Sequence, residues 1–210
     1  MEIELRIEEE RDHKMVEKLT REAFWNVHCP GCDEHLLIHN LRKSTEYIKD
    51  LDFLAIYENK IIGNIVYVKA KIIDFEKEYN VLTFGPLSVL PEYQNKGIGH
   101  KLINHTIELS RKMNYKAIII YGDPEYYKRF GFIPSKKYNI TNKEGKYPAA
   151  LLVLELYQNA LNGIKGKFDE GEIYEINEKD LEKFEKGFSK KKKEKTKTQE
   201  RFNELSEKYL

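Results

Sequence analysis

The sequence has few cysteines, no long apolar run and almost no net charge. Its two cysteines, Cys29 and Cys32, are too few for a disulfide framework. No apolar stretch approaches the roughly 20 residues that a membrane-spanning helix needs, and the acidic start around Glu2 does not resemble a signal peptide. With a formal net charge of +1, the chain has no overall field that would attract nucleic acid or an anionic membrane. These absences predict a cytoplasmic protein without a membrane partner.

What the sequence does contain is typical of a globular domain with a charged extension. Apolar residues make up 40% of the chain and charged residues 34%, so we expect a packed core under a well-solvated surface. Aliphatic residues become scarce after Gly163, and lysines fill positions 190–193. We therefore expect one domain over 1–160 and a charged, lysine-rich, helical extension over 161–210.

The extension has three interpretations. A run of charges usually forms a solvated helix or a mobile tail. The lysines of 190–193 could instead contact nucleic acid or an acidic partner, or the tail could fold back on the acidic segment 169–185. The small net charge argues against a dedicated nucleic-acid binder.

Hydrophobic periodicity predicts alternating strands and helices in the first 160 residues. Residues 2–7 alternate charged and apolar side chains, which is typical of a half-buried strand. We expect Asp12 to cap a helix that runs to about Phe24. Further helices are predicted at 33–41, 97–113 and 124–129, and further strands at 53–57, 61–68, 81–90, 115–121 and 149–156. This order predicts an α/β or α+β sandwich around one mixed sheet.

The segment between the strand at 81–90 and the helix at 97–113 is suited to hold a phosphate group. The first turn of a helix has backbone N–H groups without partners, and these attract anions. Gly97 and Gly99 have no Cβ, so a diphosphate could approach the backbone closely. A dinucleotide fingerprint would need a third glycine where Leu102 stands. A purely structural turn is the alternative interpretation.

Two motifs resemble those of a known enzyme family. Gln94-x-x-Gly97-x-Gly99, after a strand, is similar to the acetyl-CoA motif of the GNAT superfamily of N-acetyltransferases, Gln/Arg-x-x-Gly-x-Gly/Ala. One strand later, the run from Tyr127 to Phe132 resembles the family's Tyr-x-x-x-Gly-Phe. The resemblance covers about residues 3–156. It implies an N-acetyltransferase with a single mixed, mostly antiparallel sheet, flanked by helices and splayed at the cofactor site.

The resemblance also implies acetyl-CoA as the co-substrate, with its pantetheine arm beside the strand that precedes the loop. Gly85-Pro86 fits this arrangement, because a proline cannot donate to a strand ladder and favours a bulge. We expect the arm to lie on the last residues of the strand and the diphosphate on the loop. The expected cofactor-binding residues are Leu87, Ser88, Val89, Gln94, Asn95, Lys96, Gly97, Ile98, Gly99, His100 and Lys101.

The implied reaction is direct attack of a neutral amine on the thioester carbonyl. Tyr127 occupies the family's position for the acid that protonates the sulfur of coenzyme A, and a tyrosine hydroxyl is a neutral donor at pH 7. A tyrosine that only packs in the core is the alternative. Many family members carry an asparagine at the end of the preceding strand. Here that stretch contains Gly122 and Asp123, and we expect Asp123 to cap the short helix.

The acceptor pocket is the least specified part of the site. Glu34 or His35, at the start of the second helix, could accept the amine proton, although charges there also suit the helix dipole. We expect Trp25 and Cys32 to line this pocket. We expect the acceptor to be an amine on a small molecule or a peptide. A monomer and a homodimer are both compatible with the sequence.

A metal site and a non-catalytic role are the remaining hypotheses. Cys29 with Cys32, and His35 with His39, have spacings known from zinc sites. Only two residues separate Cys32 from His35, whereas finger-type sites have a long loop there, so we expect no metal. The competing function is an acyl-CoA-binding or sensing module on the same fold. Tyr127 favours an enzyme.

Overall fold

Nine strands form one mixed sheet in this computed structural model, which describes all residues except the side chain of Ser206. The sheet order is β1-β2-β3-β4-β5-β8-β6, and β9 joins β7 to β3. The pairs β4–β5 and β7–β9 are parallel and the others antiparallel. The strands are β1 (Glu4–Ile7), β2 (Phe53–Tyr57), β3 (Lys60–Asp74), β4 (Lys77–Val89), β5 (Ala117–Tyr121), β6 (Ile133–Pro134), β7 (Ile140–Thr141), β8 (Leu151–Glu155) and β9 (Gly166–Asp169).

Six α-helices flank this sheet among the described residues, and short 3-10 turns join several elements. The predicted mixed, mostly antiparallel sheet between helices is confirmed. No helix in this part of the chain is long and apolar enough to cross a membrane. The helices are α1 (His13–Phe24), α2 (Glu34–Leu41), α3 (Ile98–Lys112), α4 (Pro124–Tyr127), α5 (Glu178–Glu185) and α6 (Lys197–Glu207).

Alternating side chains of β3 separate two cores. Ile65 and Tyr67 belong to the core that contains Leu102 of α3. The neighbouring Val66 packs in the other core, with Val16 of α1. Burying a large aliphatic side chain contributes about 1.5–3 kcal/mol each, so both layers are fastened to the sheet along this one strand.

The sheet opens between β4 and β5. Tyr67 pairs with Phe84 and Ile65 with Leu87, so Val66 alone faces the two residues Gly85 and Pro86, and β4 carries the bulge that the sequence predicts. The parallel pairing of β4 with β5 consists of one bridge, between Leu82 and Ile118. Beyond it the two strands diverge, and the edge of β4 leading to Val89 has no partner in β5.

The predicted cap of α1 is wrong, whereas that of α4 is confirmed. Asp12 makes no capping hydrogen bond to α1; instead Arg6 donates two hydrogen bonds, of 2.6 and 2.9 Å, to its carboxylate. The bidentate fork of a guanidinium is a stronger partner than one backbone amide, and this hydrogen bonding lowers the pKa of Asp12. Asp123 accepts a 2.8 Å hydrogen bond from the Glu125 backbone amide and caps α4.

The segment after residue 160 contacts the sheet and the first helix. Phe168 of β9 pairs with Ile72 of β3. Arg21 of α1 donates two 2.8 Å hydrogen bonds to the carboxylate of Glu185. In the lysine run, Lys191 forms a 2.7 Å ion pair with Glu22 of α1.

Candidate active site

A cavity of about 570 Å³ lies where β4 ends and α3 begins. Eight of the eleven residues predicted to bind the cofactor line it. The helix α3 and the strand β4 enclose it together with Tyr126, Tyr127 and Arg129 from the region of α4. The eight predicted residues are Leu87, Val89, Gln94, Asn95, Gly97, Ile98, Gly99 and His100.

The backbone at the start of α3 is arranged to receive an anion. Asn95 and Gly97 adopt left-handed φ values of 58° and 83°, which turn the chain into the helix. The backbone N–H of Lys101 donates a 3.0 Å hydrogen bond to the carbonyl of Gly97. The backbone N–H groups just before it, in the first turn of α3, have no carbonyl one turn earlier to which they can donate. With the positive end of the helix dipole, they attract negative charge.

The two glycines of the motif serve different purposes. A Cβ on Gly97 would meet open space, so its backbone conformation explains the glycine. A Cβ on Gly99 would stand 3.0 Å from the hydroxyl oxygen of Tyr126, so here a close approach explains it.

Three predicted cofactor residues are absent from the lining of this cavity. The buried Ser88 hydroxyl donates to Thr20 Oγ1 over 3.0 Å, behind the strand. Lys96 Nζ donates to the carbonyl of Glu92 over 2.8 Å. Lys101 Nζ donates to the carbonyl of Ile3 over 2.5 Å.

A second cavity, of about 630 Å³, lies on the other side of Tyr127. Its walls come from the α1–α2 region, the splayed strands β4 and β5, the loop after β9, and α6. The residues that line both cavities are Phe24, Val27, Leu87, Tyr127 and Thr198. The two spaces therefore meet at the bulge of β4, beside the Tyr127 ring.

Tyr127 stands in an aromatic cluster at this junction. Its ring centroid is 4.9 Å from that of Tyr126, 5.6 Å from that of Phe132 and 5.9 Å from that of Phe84. Burial raises the pKa of the Tyr127 hydroxyl, so it stays protonated at neutral pH. No described residue forms a hydrogen bond with this hydroxyl, which leaves its proton available to a ligand.

Of the residues predicted for the acceptor side, Glu34 lines the second cavity. Its Oε1 lies 2.8 Å from Nδ1 of His28, which lines the same cavity. Its Oε2 accepts a 3.2 Å hydrogen bond from the Asp33 amide. Glu34 is thus already paired by its own neighbours.

His35, Trp25 and Cys32 do not line either cavity. His35 is completely buried, its Nε2 lies 2.8 Å from Oε1 of Glu185 without the alignment of a hydrogen bond, and burial lowers its pKa. Trp25 donates its indole N–H to the carbonyl of Lys192 over 2.9 Å. Cys32 is buried, which raises the pKa of its thiol. All three pack between the first helices and the C-terminal segment.

Several lining residues of the second cavity were missed by sequence reasoning. Glu170 and Tyr174 follow β9, and α6 contributes Arg201, Phe202 and Leu205. Burial raises the pKa of Glu170 to about 7. Thr198 and Phe202 are four residues apart, which places them on one face of a helix. This spacing could have indicated that the helix packs against another surface, but the local sequence does not indicate which surface that is.

Comparisons with known proteins agree with this geometry. The family model described as an acetyltransferase (GNAT) domain matches residues 49–134, from the turn before β2 to the end of β6. The Escherichia coli protein named uncharacterized N-acetyltransferase YjhQ is 37% identical over 84 residues, which are 40% of this chain and 46% of that protein. The chain thus spans less than half of YjhQ.

A second relative extends over most of both chains. The E. coli protein named uncharacterized N-acetyltransferase YhbS is 27% identical over 164 residues, which are 77% of this chain and 92% of that protein. The crystal structure of YhbS, in complex with CoA, covers 83% of this chain and 92% of its own, with a TM-score of 0.74 and 22% identity.

A Brucella melitensis GNAT family acetyltransferase, in complex with acetyl-CoA, has a TM-score of 0.67 at 23% identity and covers 83% of this chain and 99% of its own. These two structures share the fold. Residues 49–134 of this chain thus match a GNAT acetyltransferase domain, and the chain shares its fold with two GNAT family acetyltransferases.

Proposed function

We propose that the protein transfers an acetyl group from acetyl-CoA to the amine of an acceptor by direct attack, with Tyr127 as the general acid. The observation that carries the proposal is the meeting of two cavities at one tyrosine. One cavity ends at an anion-attracting helix start, and the other opens on the far side of the bulge. A donor and an acceptor could therefore approach the same point from opposite sides.

The cavity at the start of α3 suits acetyl-CoA. Its backbone amides would hold the diphosphate. The edge of β4 from Leu87 to Val89 has no partner in β5 and would bond the amide-bearing pantetheine arm as an added strand does. Within this edge, the Val89 carbonyl accepts a 3.0 Å hydrogen bond from Gln94 Nε2. The YhbS and Brucella structures, solved with CoA and acetyl-CoA, support this assignment.

Tyr127 suits the leaving-group side of the reaction. A thiolate departs as the amide forms, and proton donation to a leaving atom contributes typically 10²- to 10⁴-fold in rate. The raised pKa keeps the Tyr127 proton in place until the sulfur needs it. No enzyme nucleophile is required, since holding both reactants at the junction makes the attack unimolecular.

The test is a binding measurement followed by a turnover measurement. We expect acetyl-CoA to bind the wild-type protein, and we expect a panel of amines to show at least one that releases free thiol and gains an acetyl group by mass. Binding of acetyl-CoA without acetylation of any amine would contradict the proposal and favour an acyl-CoA-binding module.

A further inference from the structure

Building on the proposed acetyl transfer, we infer that the acceptor is a small primary amine with an apolar body, and that Glu170 binds its ammonium group and accepts its proton. Both parts concern the second cavity, the one of about 630 Å³. We infer that the acceptor is small from the position of α6. We infer its apolar body from the apolar walls of the cavity, and its ammonium group from the charged residues in the lining.

The helix α6 crosses over the cavity and is tied to both of its sides. At its start, the Thr198 hydroxyl donates to the carbonyl of Val27 over 2.9 Å, between α1 and α2. Arg201 lies 3.5 Å from Asp123, at the end of β5. After the end of α6, the backbone carbonyl of Lys208 accepts a 2.8 Å hydrogen bond from the backbone amide of Ala149, which precedes β8. Because α6 lines the cavity and is held by these contacts, we expect it to hinder entry of a lysine or an N-terminus of a folded protein more than entry of a small molecule.

The walls of the cavity are mostly apolar. Phe202 stacks on the ring of His28, with centroids 4.4 Å apart. Tyr174, opposite, places its hydroxyl 3.5 Å from the carbonyl of Gly85 in the bulge. A ligand body that fills such walls is stabilised because its apolar surface is removed from water. The apolar side chains on the walls include Phe24, Leu37, Phe84, Pro86, Ala150 and Leu205.

The acidic residues of the lining differ in how they are paired. Glu34 is bonded by His28, and Asp123 faces Arg201. Glu170, by contrast, forms no hydrogen bond or ion pair with a described residue. A half-buried carboxylate without a partner favours a cation.

The charged and titratable groups around Glu170 leave this role open to a ligand. Lys143 is near enough to lower the pKa of Glu170, yet its Nζ pairs with Asp169 at 3.2 Å. Tyr121 and Tyr174 also face Glu170, and burial raises the pKa of each of them, so both are neutral donors. The ammonium of an acceptor would be the one full charge in contact with this carboxylate.

The acid–base properties of Glu170 match the role. Burial raises its pKa to about 7, close to the operating pH at which a general base is most effective. Below that pH the carboxyl is protonated and neither binds an ammonium nor accepts a proton. Acceptor turnover should therefore rise with pH through about 7.

The step balances as follows in atoms and protons. The ammonium gives one proton to Glu170 and becomes a neutral amine. The nitrogen bonds to the acetyl carbonyl carbon, the carbon–sulfur bond breaks, and the thiolate takes the hydroxyl proton of Tyr127. The second proton leaving the nitrogen returns to the Tyr127 oxygen. The products are an amide, the thiol of coenzyme A and one proton on Glu170, which passes to solvent.

The experiment compares wild type, Glu170→Gln and the matched control Glu172→Gln, an exposed carboxylate nearby that lines neither cavity. The acceptors are 2-phenylethylamine, hexylamine and a lysine-containing peptide. We expect the two small amines to be acetylated and the peptide not. In Glu170→Gln, kcat/KM for the amines should fall at least about 100-fold and lose its rise through pH 7, with the Kd of acetyl-CoA unchanged.

Each other outcome has a definite meaning. Acetylation of the peptide in preference to the amines would overturn the inferred substrate class and leave the proposed acetyl transfer standing. Equal kcat/KM in wild type and Glu170→Gln would overturn the role of Glu170. No acetylation of any acceptor, with acetyl-CoA bound, would overturn both proposals. A thermal melt of each variant, with Glu170→Asp as a second variant, separates loss of fold from loss of function.

Discussion

The ring of Tyr127 lies against the backbone of Gly122, at the end of β5. A Cβ built on Gly122 would stand 2.3 Å from Cε2 and 2.6 Å from Cδ2 of that ring, closer than any real side chain approaches. The missing side chain at Gly122 thus allows the tyrosine to reach the junction of the two cavities. A residue larger than glycine at this position would have to displace the Tyr127 ring.

Gly122→Ala is therefore expected to move Tyr127 and lower kcat at least about tenfold, because small displacements of a reacting group are costly. Overpacking should also lower the free energy of unfolding by about 1–3 kcal/mol. Gly187→Ala is the matched control, since its Cβ would meet only the Phe184 carbonyl at 3.4 Å. Steady-state kinetics and urea unfolding check both effects; unchanged kcat in Gly122→Ala would show that the ring position does not matter.

Gly97→Ala should weaken acetyl-CoA binding without blocking the cavity. Its φ of 83° costs an alanine about 1–2 kcal/mol, which corresponds to about a 5- to 30-fold rise in Kd if the loop relaxes in the free protein. Gly97→Asn is the control, because asparagine tolerates the left-handed region better. Calorimetric titration with acetyl-CoA measures both. Equal affinities for Gly97→Ala and wild type would mean that this backbone shape does not hold the ligand.

The ion pair of Arg21 with Glu185 should hold the C-terminal segment on α1. The Arg21 side chain is 2% exposed, and breaking a buried pair by removing one partner costs about 3–5 kcal/mol. Glu185→Gln should therefore lower Tm by about 6–20 °C for a chain of this size. Glu78→Gln, which breaks the exposed pair with Lys71, is the control and should change the unfolding free energy by less than about 1 kcal/mol. A small shift for Glu185→Gln in differential scanning calorimetry would contradict this.

The same contact makes stability depend on pH. Burial lowers the pKa of His35 below its usual 6.5; burial alone would raise the pKa of Glu185, but Arg21 outweighs it and lowers that pKa. Both groups bind more protons when the chain is unfolded, so their stabilisation is present above the unfolded pKa values and is lost as pH falls. The free energy of unfolding should drop from pH 7.5 to 5, with His35 contributing beside His13 and His105, whose pKa values burial also lowers. In His35→Gln the slope over this range should flatten, and an unchanged slope in urea titrations would assign it to other groups.

The residues at the start of α3, to which we assign acetyl-CoA, could be singled out from the sequence because their chemistry is local. Gln94, Gly97 and Gly99 lie within one turn of chain, between a strand and a helix that each show clear periodicity. Tyr127 needed the family resemblance, since nothing in its own neighbourhood distinguishes it from Tyr126. The structure separates the two by their cavities: Tyr126 lines only the first, and Tyr127 lines both.

The proposed acceptor side could not be predicted, because the second cavity is assembled from distant segments. Glu170 follows β9, a strand of four residues that is too short to show a period. The helix α6 has an amphipathic sequence, but its covering of the cavity depends on partners such as Val27 and Asp123 far along the chain. The error at Asp12 has a similar origin, because Arg6 on a neighbouring strand competes for the carboxylate that would have capped α1.

The most direct test of acetyl transfer at this junction is the single-turnover rate of Tyr127→Phe, measured beside the Kd of acetyl-CoA, with Tyr126→Phe as the control. We expect the rate of Tyr127→Phe to fall about 10²- to 10⁴-fold, with the Kd within about twofold of wild type because the phenyl ring preserves the packing. Tyr126→Phe should keep most of the rate. A Tyr127→Phe protein that acetylates an amine at the wild-type rate would contradict the assignment of Tyr127 as the acid.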